Sequence, residues 1–448
     1  MRGQQGQRRR LHESHRHLLH ARRVRHHQRQ QRIPGNDRGR RDCLDREHHR
    51  HWKRCDHRRP HASYMAAFGA PDAMSAPAID PAEPEYASRL GPLAPLLANQ
   101  QVTEVMVVAG RDVYVEVNGR LMLTPVTFSS EQEVLDLIRF IVESVGRQID
   151  AQNPICDARL ADGSRVHAAI PPVAIDGPLL NIRKFVRGPL HMQDLIQLGS
   201  CSESAFGFLK ACVMARANIL VSGGTSSGKT TLLNVMSGYI PSDERIVTIE
   251  DAAELQLQQR HVARLESRPS SSDGTPEITL RELVISSLRM RPDRLIVGEV
   301  RGPEALDMLQ AMNTGHDGSM TTLHANKPRD ALARLETLVM MAGYDLVPRA
   351  IRSQIASAFN VVVHLERMRD GSRKVVQISE ITGMEEDVIS MQDIFQFTRT
   401  GLDPEGRVLG GFAAAGIRPR ILDRMADRGL EIPLELVQTF PTWVQRPQ

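Results

Sequence analysis

The 448-residue chain contains no stretch approaching the roughly 20 consecutive apolar residues of a membrane-spanning helix, and its first residues lack the apolar core of a secretory signal. These two absences predict a chain without a helical membrane span or leader, and hence cytoplasmic residence. Cysteine is also scarce. Cys43, Cys55, Cys156, Cys201 and Cys212 form no regular framework, and an odd count without an export signal predicts free thiols. Neither a CxxC nor a zinc-finger ligand spacing is present. The 11 histidines of residues 1–61, which surround Cys43 and Cys55, therefore read as adventitious metal ligands.

A formal net charge of +4 points at first to nucleic acid or an anionic membrane as partner. Its distribution argues otherwise. Residues 1–61 hold 18 Arg and one Lys against six acids, a net of +13, and the remainder holds 38 bases against 47 acids, a net of −9. The body of the chain is acidic, so no specific nucleic-acid partner is expected. The basic stretch has almost no apolar periodicity and is predicted to be disordered over residues 1–64. Two readings of it stay open: an arm for anionic lipid or nucleic acid, or a stretch upstream of the genuine start, since composition changes abruptly at Tyr64-Met65. Residues 65–88, rich in Ala, Pro and Asp, read as a linker.

From Leu90 the texture alternates. Met106 and Val108, then Val113, Val115 and Val117, are spaced two apart on either side of Gly110-Arg111-Asp112, as in a β-hairpin, and Asn118-Gly119 forms a second turn. Val134, Leu137, Ile138, Ile141 and Val142 fall at helical spacing. Strand texture returns over 158–170 and 180–185, so residues 89–188 are expected to form a small α+β domain. Beyond Gly188-Pro189, short apolar strands alternate with amphipathic helices, the pattern of a parallel sheet covered on both faces. Predicted strands lie at 219–221, 245–249, 295–297, 320–323 and 361–365. Pro303 and Pro328 open helices that Gly315 and Gly343 follow. The expected class is α/β, with a RecA-like P-loop motor domain over 189–395 and a C-terminal segment over 396–448.

Within that alternation, Gly223-Gly224-Thr225-Ser226-Ser227-Gly228-Lys229-Thr230 fits GxxxxGK[ST] between a buried-type strand and a helix. Glycines let the backbone curl so that successive N–H groups point at one phosphate, and the helix N-terminus adds partial positive charge there. On this reading Lys229 reaches the β- and γ-phosphates of ATP, the Thr230 hydroxyl ligates Mg²⁺, and Thr231 is its neighbour. Hydrolysis further needs a carboxylate to orient water, expected at the end of a strand beside the phosphate-loop strand; Glu299 fits that description. Glu250-Asp251 ends another strand. His316 and His324 each admit a structural reading and a functional one, in which the imidazole hydrogen-bonds the γ-phosphate as a sensor.

Together these residues resemble a known family, the type II/type IV secretion ATPases, and within it the CpaF branch that serves Tad (Flp) pili. The phosphate loop is followed by IEDAAELQL (249–257), similar to the family's Asp box, by RMRPDRLIVGEVRG (289–302), similar to its Walker B region, and by TGHDGSMTTLHAN (314–326), similar to its His box. ARLADGSRVHAAIPPVAIDGPLLNIRKF (158–185) resembles the domain that precedes the motor. The resemblance spans about residues 89–430. It implies a homo-hexameric ring that binds ATP between its two domains and works, cytoplasmic and peripheral to the inner membrane, on a platform protein there. It implies the Walker B role for Glu299, the Asp-box role for Glu250 and Asp251, and the His-box role for His316 and His324. Arg165, Arg183, Arg281, Arg289, Arg291 and Arg301 are candidates for stabilising charge on the transferred phosphoryl group. Ser226 departs from the family loop, which usually has glycine there, and the Arg/His tail stands where many CpaF-type proteins carry helices. A conjugation or type II secretion ATPase would share these motor motifs. A RecA-like nucleic-acid translocase would use the same sheet, but the acidic body and the His box argue against it.

Overall fold

The structure is a computed structural model. It describes residues 88–440, apart from residues 118, 161, 186, 187, 189 and 271–274. The expected basic tail and nearly all of the expected linker lie outside the described residues, as do Cys43 and Cys55.

Valines spaced two apart put one face of a strand into an interior and leave the other in water. In the small domain, β1 (Val102–Val108), β2 (Asp112–Val117), β3 (Arg120–Leu123), β4 (Ile155–Arg159), β5 (Arg165–Ala169) and β6 (Leu179–Arg183) form an antiparallel sheet. Its order is β3-β2-β1-β6-β5-β4. Val105, Val107, Val113, Val166 and Ile182 share one core with Val134, Leu137, Ile138, Ile141 and Val142 of the helix Glu131–Ser144. Ser130 caps that helix by accepting from the Glu133 N–H. The register carries one charged row across the sheet near its end: Glu116, Glu104, Arg183, Arg165 and Arg159 stand opposite one another on β2, β1, β6, β5 and β4.

The second sheet comprises β7 (Ile219–Gly223), β8 (Ile246–Glu250), β9 (Val262–Glu266), β10 (Arg294–Val297), β11 (Met320–His324), β12 (Val361–Arg367), β13 (Arg373–Glu385), β14 (Val388–Leu402) and β15 (Val408–Ala414). Its nine strands run in the order β15-β14-β13-β12-β7-β11-β10-β8-β9. Neighbours from β12 to β9 are parallel, and β13 to β15 extend the sheet as an antiparallel meander. β7 is buried throughout: Ile219 and Val221 face one core with Phe206, Leu209 and Leu233, while Leu220 faces the other with Leu309, Leu335 and Ile355. Helices on both faces explain why these strands read as continuous apolar runs. Each of the five strands expected from sequence is present with its ends shifted by at most two residues.

β9 and β13 to β15 escaped the sequence reading. β13 and β14 are long and mix buried with half-exposed positions, so neither carries the short apolar run of a central strand. The boundary expected at 395/396 falls inside β14 and is corrected here. Phe440 packs against Phe395 and Phe208, with ring centroids 5.5 and 6.4 Å apart, so the segment to residue 440 belongs to the core of this sheet. Among the described residues, no helix is long and apolar enough to cross a membrane.

Candidate functional site

In a parallel sheet the carboxyl ends of neighbouring strands meet at one edge, where ligands of such folds bind. Here those of β7, β8, β10 and β11 do so. β7 ends at Gly223, and the chain turns through 224–228 into the helix Lys229–Ser237. Glycine is required at 223, because a Cβ there would lie 2.5 Å from the Leu365 carbonyl oxygen and 2.6 Å from Ser227 Oγ. Gly228 takes φ +97 at the helix entry, and Ser226 holds φ +55 despite its side chain. Ser227 Oγ donates to the Gly224 carbonyl at 2.9 Å. The Lys229 ammonium is folded onto the loop, donating to the carbonyls of Gly223 (3.1 Å) and Gly224 (3.0 Å). Burial lowers its pKa from the usual lysine value, while Glu299 opposes that shift.

Glu299 follows β10, which is not the neighbour of β7 as the sequence reading expected. β11 is inserted between them. The inserted strand sets His324 directly opposite Gly223 in register, and the Thr322 hydroxyl donates to the Gly298 carbonyl at 2.7 Å beside Glu299. Glu299 is held by Arg301, whose Nη1 also reaches Asp251 Oδ2 at 2.7 Å. Glu250 is only 2% exposed. Its Oε2 accepts from the N–H groups of Glu254 (2.7 Å) and Leu255 (2.8 Å), and among the described residues its Oε1 has no partner. Burial raises the Glu250 pKa above the ordinary carboxylate value, the backbone N–H groups opposing.

The charged row of the small domain faces this edge. At one end Arg165 reaches Glu254 (2.6 Å) and Arg159 reaches Glu266 (2.9 Å); at the other, Glu116 lies 3.7 Å from both Arg367 and Arg373. The middle of the row, Arg183 and Glu104 at 3.4 Å, lines the cleft between the domains. That cleft has a volume of about 650 Å³, within the range of small-molecule sites. Its walls include Thr225–Thr231, Glu299, Arg301, Thr322 and His324. Seven basic side chains line it (Arg165, Arg183, Lys184, Lys229, Arg301, Arg334 and Arg373) against four acidic ones, which suits a polyanionic ligand. Glu250 and Asp251 stand behind the lining and act on it through Glu254 and Arg301.

Other expected site residues lie elsewhere in the chain. His316 precedes β11 at the opposite sheet edge, its Nδ1 3.1 Å from the Ala311 carbonyl. Arg281 bonds Asp307 at 2.7 Å and stacks on Tyr344, while Arg289 is exposed in the turn Leu288–Met290, with Arg291 just after it. His316, Arg289 and Arg291 precede β11 and β10 at their amino ends, Arg281 opens the helix Leu280–Ser287 just beyond the carboxyl end of β9, and none of the four lines the cleft.

The sequence pattern of the Type II/IV secretion system protein family matches residues 87–398, which take in the small-domain sheet and the motor strands through most of β14. The chain belongs to that family. A Mycobacterium tuberculosis protein named for conjugal transfer is 39% identical over 295 residues, covering 64% of this chain and 83% of that protein. The type IV secretion system protein PtlH of Bordetella pertussis is 36% identical over 259 residues, covering 52% and 76%. Among solved structures, the VirB11 ATPase of the Brucella suis type IV secretion system in complex with sulphate is 28% identical at a TM-score of 0.37, covering 65% of this chain and 93% of that one.

Several cleft residues of this secretion-family chain were not singled out from sequence: Glu104, Glu116, Glu254, Thr322 and Arg373. Glu254 follows Glu250 by four residues within the stretch 249–257, a sequence signal that could have found it. Glu116 and Arg373 had no local signal, because each gains its place from a contact between domains.

Proposed function

We propose that the chain is an ATP-hydrolysing motor of a bacterial envelope secretion system, using ATP and Mg²⁺ in the cleft between its two domains. The observation that carries this reading is the loop 223–230, whose glycine-dependent turn opens onto a cleft with excess positive charge and a carboxylate, Glu299, on its wall. Gly223, Gly224, Thr225, Ser226, Ser227, Gly228 and Thr231 shape the cradle, and Lys229 exchanges its loop carbonyls for phosphate oxygens. Mg²⁺, when bound, screens phosphate charge and polarises the phosphoryl group. Thr230 would hold it, and the unpartnered Oε1 of Glu250 is a buried oxygen suited to a cation or its water shell. Glu299 orients the attacking water, and His324 reads the terminal phosphate, a role its register opposite Gly223 supports. Of the six arginines named from sequence, Arg165, Arg183 and Arg301 line the cleft and are available to stabilise transferred charge.

In this reading six copies form a ring, cytoplasmic and peripheral to the inner membrane, and domain closure on ATP drives a platform protein. The CpaF resemblance favours assembly of a Tad pilus. The name of the Mycobacterium tuberculosis relative favours conjugal transfer as a second reading. Two measurements test the proposal. Phosphate release by the purified protein should require Mg²⁺ and vanish in Lys229→Ala together with binding of a fluorescent ATP; a Lys229→Ala protein that binds and hydrolyses normally removes the site. Deleting the gene in its host should abolish surface pili while sparing plasmid transfer; the reverse phenotype selects conjugation.

A further inference from the structure

Ser226 sits at the tip of the phosphate loop with φ +55, in the left-handed region that a residue with a Cβ occupies at a cost. Its carbonyl is held from outside the loop: Arg373 Nε, at the start of β13, donates to it at 3.0 Å. The Arg373 stem packs on the other critical turn residue, its Cδ 3.5 Å from the Cβ position of Gly228. Its Nη2 lies 3.7 Å from Oε1 of Glu116, a side chain of the small domain that is 8% exposed and shares Arg367 as a second cation. Glu116 thus draws Arg373 and Arg367 toward one carboxylate oxygen, so the small domain helps to fix the direction in which Arg373 points.

We infer that Arg373 and Glu116 form a positioning pair that holds Ser226 in its left-handed conformation, so that the phosphate loop is preformed for ATP only while the small domain is docked on the motor. The inference rests on the reading of the cleft as the ATP site and names what regulates it. Arg373 acts through the loop and not on the reacting atoms. A glycine at 226 would adopt the same φ unaided and would free the loop from this dependence.

The test uses the full chain, fluorescent-ATP titration and steady-state hydrolysis. Arg373→Ala is expected to weaken ATP binding and raise KM about tenfold, with kcat at saturating ATP within about twofold of wild type. Ser226→Gly added to Arg373→Ala should restore affinity to within about threefold of wild type. Glu116→Gln, made from the other domain, should raise KM in the same direction without adding to Arg373→Ala, and it carries the test if Arg373→Ala does not fold. The pair is overturned if Ser226→Gly fails to rescue Arg373→Ala, if Arg373→Ala lowers kcat in place of affinity, or if Glu116→Gln leaves KM unchanged. Wild-type protein that binds no ATP removes the site itself, whereas normal wild-type binding with an unaltered Arg373→Ala removes the pair alone.

Discussion

Arg301 grips Glu299 through two donors on one oxygen, Nε at 3.0 Å and Nη2 at 2.8 Å from Oε2. Asp251 takes the remaining end of the guanidinium, which ties Arg301 to two carboxylates at once. A carboxylate that orients water must be aimed, and this cation fixes its direction. Glu299→Gln should therefore bind fluorescent ATP as wild type does and lose on the order of 100-fold in turnover. Arg301→Ala should lower kcat by about tenfold with a smaller change in KM. Wild-type turnover in Glu299→Gln would end its assignment as the water-orienting group.

Glu250 offers a prediction with a defined sign in pH. Burial raises its folded pKa above the unfolded value, so the ionised form is the one folding disfavours. The associated loss of stability is absent at low pH and grows as pH rises through the folded pKa. Glu250→Gln keeps an acceptor for the N–H groups of Glu254 and Leu255 while removing the charge. Thermal melts should show the variant more stable than wild type at about pH 8 and equal to it at about pH 4. A gain of the same size at both pH values would refute the assignment, and turnover should fall in either case.

The two histidines of one motif should separate. His324→Ala, beside Gly223, should cut hydrolysis by about tenfold or more. His316→Ala should leave hydrolysis within about twofold and cost about 1 kcal/mol of stability through the contact with the Ala311 carbonyl. Equal losses of turnover in both variants would contradict the geometry.

Arg294 is fully buried, pairs with Glu244 and donates to the carbonyls of Val213 (3.0 Å) and Gly318 (3.2 Å). Glu244 would keep Arg216 at 3.2 Å, so the cost of removing Arg294 lies in the emptied buried volume and in the Val213 and Gly318 carbonyls that lose this donor. Arg294→Ala should destabilise the chain by about 2–5 kcal/mol in denaturant titrations. A loss below about 1 kcal/mol would contradict both costs.

What the sequence determined by itself is what local chemistry can determine. Strand texture, proline and glycine at helix ends, and the spacing of the phosphate loop act over a few residues, and β7, β8, β10, β11, β12 and the helix Glu131–Ser144 were legible for that reason. Strand order was not local. Only the folded sheet inserts β11 between β7 and β10, and a parallel sheet gathers carboxyl ends together, so eight residues of one motif send His324 to the cleft and His316 to the far edge. Partners distant along the chain were equally hidden: Arg165 meets Glu254 from 89 residues away, and Arg373 meets Ser226 from 147. Such pairs leave no periodicity in the chain, because the force that joins them, opposite charge sheltered from water, depends on distance in space and not along the sequence.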